Sequence, residues 1–296
     1  MNTTRKSYVY AGVAILFWST VPTAFKICLR ELDVLSMLTI ASVASTIALF
    51  AVLAAGGKIS SILKSSLKEL VTSAILGFIN PFLYYIILLN AYRLLPAQVA
   101  QPLNMIWPII LVFLSVPLLG QKIGINSFIA LFISFAGVFI ISSQGSFTGH
   151  MHANLKGVLL ASGSSLFWAL YFILNMRDKR DESVKLFMNF LCGSLYLILA
   201  MVLTGKLDHL TFQLKGTLAA VYIGFFEMGI TFLLWLKALQ MATSTDKVSN
   251  LVYLAPFISL IFVHFILHEP VYFTTPVGLI LIIAGIWVQN RRRVNT

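Results

Sequence analysis

Ten apolar stretches, each about twenty residues long, follow one another along this chain with short polar breaks between them. A soluble core does not need so much continuous apolar length. A bilayer does, because its hydrocarbon is about 30 Å thick and an α-helix rises about 1.5 Å per residue. The pattern predicts helices over 8–27, 35–55, 69–92, 97–118, 124–143, 155–176, 184–204, 214–239, 247–267 and 273–290. Turn and charge signals separate them, among them Gly56-Gly57-Lys58, Leu95-Pro96, Gly120-Gln121-Lys122 and Glu269-Pro270. Arg5 and Lys6 before the first run imitate a secretory leader. That run is too long for a leader's apolar region and lacks a small-x-small cleavage site, so it reads as a retained helix.

Residues are 59% hydrophobic and 10% charged, where soluble domains carry about 25% charged residues. No stretch is polar enough for a separate soluble domain, so the expected fold class is an all-α membrane protein with short loops. The net charge of +11 resides in loops and in the C-terminal Arg291-Arg292-Arg293. It forms no continuous basic face, which argues against nucleic acid as a partner. With the N-terminus inside, 14 Lys and Arg fall on the cytoplasmic side and 6 on the other, which orients both termini to the cytoplasm. Cys28 and Cys192 are far apart in apolar segments and read as free thiols, with neither a disulfide framework nor metal spacing. There is no P-loop, no His-Glu-x-x-His, no Gly-x-Ser-x-Gly and no paired intramembrane carboxylate. Direct ATP drive and intramembrane enzyme chemistry are therefore not expected, and neither is a cofactor or a metal.

The stretches also repeat. Residues 76–92 match 223–239 at an offset of 147, with Gly77-Phe78 on Gly224-Phe225. Residues 106–140 match 254–288 at an offset of 148, with Pro108 on Pro256 and Ala136-Gly137 on Ala284-Gly285. Phe17-Trp18 falls on Phe167-Trp168 at an offset of 150. The expected halves are 1–145 and 146–296, each of five helices. Five is odd, so the second half enters from the opposite side, and the repeats are expected to be inverted about an axis in the membrane plane. Such a chain readily holds two states of similar energy, one open to each side, with its substrate near the midplane.

Phe17-Trp18-Ser19-Thr20, the Pro108 helix followed by Gly120-Gln121-Lys122, and the run from Ala238 through Pro256 to Glu269 and Gly285 resemble the drug/metabolite transporter superfamily, EamA family. Within it, Asn104-x-x-Trp107-Pro108 and Phe167-Trp168-Ala169-x-Tyr171 look most like the aromatic amino acid exporter group. The resemblance spans the whole chain. It implies ten transmembrane helices as two inverted five-helix repeats around a central cavity, lined mainly by helices 1, 3, 4, 6, 8 and 9, and export of small metabolites.

Polar groups are costly in hydrocarbon, so those present face a cavity or a partner. Glu227 is the one acidic residue deep in an expected span, and it is the candidate for proton coupling or for pairing a substrate amine. Its repeat counterpart is Asn80, followed by Pro81, where the helix is expected to bend. Gln101, Asn104 and Pro108 are spaced to share one helix face. Trp18, Trp107 and Trp168, carried over from the family motifs, lie too deep for an interfacial belt and offer flat walls and ring faces to a substrate. Tyr84, Tyr171, Asn175, Asn250 and Tyr253 complete the set of substrate-binding candidates. Lys237 reads as a snorkelling cation near a helix end, and Glu269 as a helix-end or loop contact. The resulting expectation is a secondary transporter exporting amino acids or amino-acid-like compounds across a bacterial-type cell inner membrane by alternating access. Multidrug or lipophilic-cation efflux is the alternative. The expected partners are the small-molecule substrate and the lipid bilayer, and the chain itself is expected as a monomer or weak homo-oligomer.

Overall fold

The computed structural model describes residues 3–120, 125–145, 153–207, 213–241, 248 and 251–290. Asp33 starts the second helix by accepting the Leu35 amide, and Ser66 with Glu69 forms a reciprocal capping box at the fourth. In chain order the helices are α1 (Thr3–Leu29), α2 (Val34–Ala55), a short α3 (Ile59–Leu63), α4 (Leu67–Gly77), a wider π-wound segment (Phe78–Leu83), α5 (Tyr84–Leu94), α6 (Ala97–Asn104) and α7 (Trp107–Leu119). They continue with α8 (Ile125–Ser142), α9 (Leu155–Arg177), α10 (Glu182–Leu203), α11 (Leu214–Phe226), α12 (Ile230–Gln240), a 3₁₀ turn (Leu251–Leu254), α13 (Ala255–Leu267) and α14 (Thr274–Asn290). The described residues contain no strand.

Among the described residues, eight stretches are long and apolar enough to cross a membrane. Three of them join consecutive helices: Leu67–Leu94, Ala97–Leu118 and Leu214–Trp235. Two shorter apolar helices, Leu251–Leu267 and Thr274–Val288, occupy the ninth and tenth expected positions. The ninth opens on a tighter 3₁₀ turn because Pro256 supplies no amide hydrogen and its ring crowds the carbonyl four residues back.

The chain forms two compact units, and each draws on both sequence halves. The first comprises Met1–Ile86 with Asp178–Leu267, the second Ile87–Arg177 with His268–Thr296. In the first unit α1 packs against α11, α12 and α13, while α2 lies between α10 and α11, and α10 reaches α4 and the π segment. In the second unit α8 packs along α14, and α6 and α7 lie against α9. There Glu269 caps α6, its carboxylate accepting the Ala97 amide at 3.0 Å. The fully buried Gln98 Oε1 accepts from the Tyr272 amide at 3.0 Å and from the Thr275 hydroxyl at 3.3 Å.

Within the first unit α2 and α10 are both 22 residues long and begin 148 positions apart. Asp33 and Asp181 sit at their N-caps with the same separation, as do Lys58 and Lys206 after their C-terminal ends. The partners cross over. Lys58 binds Asp181 at 2.7 Å and Lys206 binds Asp33 at 2.7 Å, so the two helices run antiparallel and are clasped at both ends. Gly57 and Gly205, each just before its lysine, hold φ of 67° and 66°, a left-handed turn that suits glycine. Burial alone would raise the Asp33 carboxyl, but the hydrogen bonds from Lys206 and Ser36 outweigh it and hold it below the ordinary carboxylate range. The same contest at Asp181 is decided the same way by Lys58 and Ser183.

Close backbone contacts follow the same exchange. A Cβ on Gly77 would lie 2.4 Å from the Asn189 carbonyl, and a Cβ on Gly224 would lie 2.3 Å from the Ala41 carbonyl. In the second unit a Cβ on Gly137 would meet the Gly278 carbonyl at 2.5 Å, and one on Gly285 would meet the Ala130 carbonyl at 2.8 Å. Gly137 and Gly285 are 148 apart, as are Ala130 and Gly278. Small residues matter here because lipid gives packed helices no hydrophobic advantage over separated ones, leaving close van der Waals contact to hold them.

Two outcomes follow. Gly278→Ala places a methyl group against backbone that cannot swing aside and lowers stability by about 1–3 kcal/mol, read as a fall in Tm in detergent. Each clasp carboxyl is lower in pKa when folded, so its contribution is present above the unfolded value of about 3.9 and is lost as pH falls through the folded value. The clasp side chains are 38–45% exposed, so each pair is worth at most about 1 kcal/mol. Asp33→Asn with Asp181→Asn therefore costs little at neutral pH and flattens the loss of Tm between neutral pH and about pH 3.

Candidate functional site

The expected bend at Asn80-Pro81 is a break. Asn80 leaves helical geometry at φ −146° and ψ 121°, inside the π-wound segment. Pro81 has no amide hydrogen and its ring excludes the carbonyl four residues back, so the regular ladder cannot pass. Asn80 is 1% exposed, and its Oδ1 accepts no hydrogen bond from the described residues. The counterpart in the second half is also a break. Glu227 caps the end of α11, and α12 begins at Ile230. Across this gap the Met228 amide bonds to the Ile223 carbonyl at 3.2 Å, and the Thr231 hydroxyl donates to the Phe226 carbonyl.

Glu227 faces the first half of the chain. Its Oε1 accepts a hydrogen bond from the hydroxyl of Tyr85 at 3.0 Å. Tyr85 is fully buried, and its ring meets Phe25 edge-on at 6.4 Å and Tyr84 at 4.7 Å. The sequence reading named Tyr84 among its candidates and not its neighbour Tyr85. The π-wound segment takes more residues per turn, which brings Tyr85 to the carboxylate. Sequence reasoning also missed Tyr222, whose hydroxyl hydrogen-bonds Thr20. Thr20 ends the Phe17-Trp18-Ser19-Thr20 motif, so the signal was present in that run. Phe226 closes the group, with its ring 4.5 Å from Phe17 and 4.8 Å from Tyr222.

Trp18 is partly buried and lies against Phe232 at 5.8 Å and Trp235 at 5.4 Å, on the α1–α12 contact. Tyr253 is partly buried in the 3₁₀ turn before α13. Asn250 lies outside the described residues. Lys237 is exposed, with its ammonium 5.1 Å from the centre of the Tyr10 ring, a cation–π contact near the end of α12.

The remaining candidates belong to the second unit. Gln101, Asn104 and Pro108 do not share one continuous helix face as the spacing predicted. α6 ends at Asn104 and α7 starts at Trp107, with Pro108 in its first turn. In a regular helix the amide of residue 108 would donate to the Asn104 carbonyl, but Pro108 has no amide hydrogen. That carbonyl accepts instead from the Ser165 hydroxyl at 2.9 Å, and the Asn104 side chain donates to Ser164 at 2.7 Å. Both serines lie on α9, so this break is stitched to its neighbour. One turn on, the Trp107 ring lies 6.5 Å from Trp168 and 5.8 Å from Phe172, and Trp168 lies 6.1 Å from the buried Tyr171. Gln101 on α6 and Asn175 on α9 are partly buried. The structure thus gathers the predicted residues into two sets. One is centred on Glu227 and Tyr85 in the first unit, the other on Asn104 and the Trp107–Trp168 rings in the second. The described residues hold no group of His, Cys, Asp or Glu able to bind a metal.

The EamA-like transporter family model matches twice, over residues 5–143 and 155–291. The "uncharacterized transporter YvbV" of Bacillus subtilis strain 168 is 27% identical over 218 residues, covering 73% of this chain and 70% of that protein. An "uncharacterized transporter" of Archaeoglobus fulgidus is 26% identical over 292 residues, covering 97% of this chain and all of its own length. A solved crystal structure superposes with a TM-score of 0.67 at 20% identity, covering 98% of this chain and 99% of that one, a likeness of fold alone. With two family matches along a chain of apolar helices, this multi-pass membrane protein belongs to the EamA-like transporter family.

Proposed function

We propose that the protein is a secondary transporter exporting amino acids or amino-acid-like compounds by alternating access across a bacterial-type inner membrane, with both termini cytoplasmic and Glu227 as the proton-coupling group. Family membership and the relatives' names indicate a transporter rather than an enzyme. The single observation that carries the site is Glu227: a carboxylate held at the break of a membrane span by the hydroxyl of a fully buried tyrosine. Broken helices are where transporter folds expose polar groups at membrane depth. A carboxylate there pairs with a substrate ammonium or takes up a proton, and the neutral Asn80 at the equivalent break supplies an unfilled acceptor. In the second unit Trp107, Trp168 and Tyr171 offer the flat apolar surfaces that an aromatic or aliphatic side chain takes.

Ten spans in two inverted five-helix repeats, 1–145 and 146–296, are the architecture that suits this function. Support comes from the family model matching once in each half and from the contacts that exchange at 148 residues in both units. A chain built this way has two conformations related by exchange of its halves, and a substrate-gated switch between them is alternating access.

Proteoliposome uptake of a labelled amino-acid panel with quaternary amines, with and without a pH gradient, tests the reading. Wild type is expected to move amino acids faster with the gradient, and Glu227→Gln to lose only the gradient-driven part. A variant indistinguishable from wild type removes Glu227 from coupling. Movement of the amines alone assigns the cargo to lipophilic cations, a class that the ring-lined carboxylate also favours. Tyr85→Phe strips one hydrogen bond from a partly buried carboxylate and lowers stability by about 1–3 kcal/mol. Combined with Glu227→Gln it costs less than the two changes summed, because they share one contact; thermal unfolding of the four proteins checks this.

A further inference from the structure

The α2–α10 pair is closed at both ends at once. Two clasps related by exchange and serving as gates would alternate, one apart in each state. Here Lys58–Asp181 and Lys206–Asp33 are both shut, each at 2.7 Å. Between them the seam is hydroxylic: Thr46 bonds Ser194 at 3.0 Å, and Ser42 bonds Ser194 at 2.8 Å. Thr46 and Ser194 are themselves 148 apart, so this bond joins a position to its own counterpart and lies on the exchange axis.

The flanks are equally fixed. α4 meets α10 at Gly77 with no room for a Cβ, and α11 meets α2 at Gly224 in the same way. These are the two helices that break directly afterwards, at the π segment after Gly77 and at Glu227 after Phe226. Each is pinned to the pair up to its glycine, and its regular hydrogen-bond ladder gives way within four residues beyond it.

We infer that α2 and α10 form a fixed spine that keeps its geometry throughout the transport cycle, and that the change of conformation is taken up at the breaks around Asn80-Pro81 and Glu227–Gly229. This rests on the transporter reading above. It makes Glu227 part of a hinge, so that binding at its carboxylate acts where the chain bends. Gating is then assigned to the broken helices and not to the ion pairs.

A disulfide across the seam tests it. In a background of Cys28→Ala and Cys192→Ala, Ser42→Cys with Ser194→Cys places two thiols where two hydroxyls now touch, close enough to bridge. Uptake of the amino-acid panel by the oxidised protein is expected to stay within about twofold of the reduced protein. A loss of about tenfold or more that reduction restores overturns the spine. Hydrogen exchange on the wild-type protein, with and without a transported amino acid, needs no substitution. Protection is expected to change at 78–83 and 227–229 and to hold steady within α2 and α10, and an equal change along α2 and α10 overturns the proposal. The reduced and wild-type proteins separate the two ideas: if they transport and the oxidised form does not, only the spine fails. If wild type moves no probe, the transporter reading fails and the spine falls with it.

Discussion

A helix inside hydrocarbon has no water to receive a loose carbonyl or amide, and the rest of this structure depends on that constraint. Where the helices run unbroken the ladder satisfies itself. Where they break, something nearby must take over. The Asn104 carbonyl, orphaned by Pro108, is met by Ser165, and the Phe226 carbonyl beside Glu227 is met by Thr231. The breaks are therefore costly places that the chain has equipped individually, and Asn80, Asn104 and Glu227 are all found at them.

The same solvent removes the usual reason for helices to associate, since lipid tails are as apolar as leucine. Contact must come from close approach and from polar groups paired across helices. Both occur here in quantity. Glycines at 77, 137, 224, 278 and 285 let backbones touch, and the hydroxyls of Ser42, Thr46 and Ser194 link α2 to α10. Large apolar side chains such as Phe132, Phe139 and Leu203 point outward and stay exposed, which would be a fault in water and is the normal surface in lipid.

Much of this was legible from residues alone. Apolar length and turn signals marked the eight stretches able to cross a membrane among the described residues, and Pro81 announced a bend where the structure has a break. What stayed hidden was rotational phase. A π-wound turn is not written in apolar spacing, so Tyr84 was named and its neighbour Tyr85 was not, and the end of α6 at Asn104 separated Pro108 from the face of Gln101 and Asn104. The clasps were hidden for another reason. Asp33, Lys58, Asp181 and Lys206 look like ordinary loop charges until three-dimensional pairing shows which two meet. Their common spacing of 148 was available in the sequence, but spacing alone does not say that the partners cross over.

That crossing has a consequence for assembly. Every clasp takes its acid from one half of the chain and its base from the other, so neither half closes a clasp by itself. Two copies of one such half, laid antiparallel, would form the identical bond twice over a true dyad. The present molecule keeps that dimer-like bonding within one polypeptide.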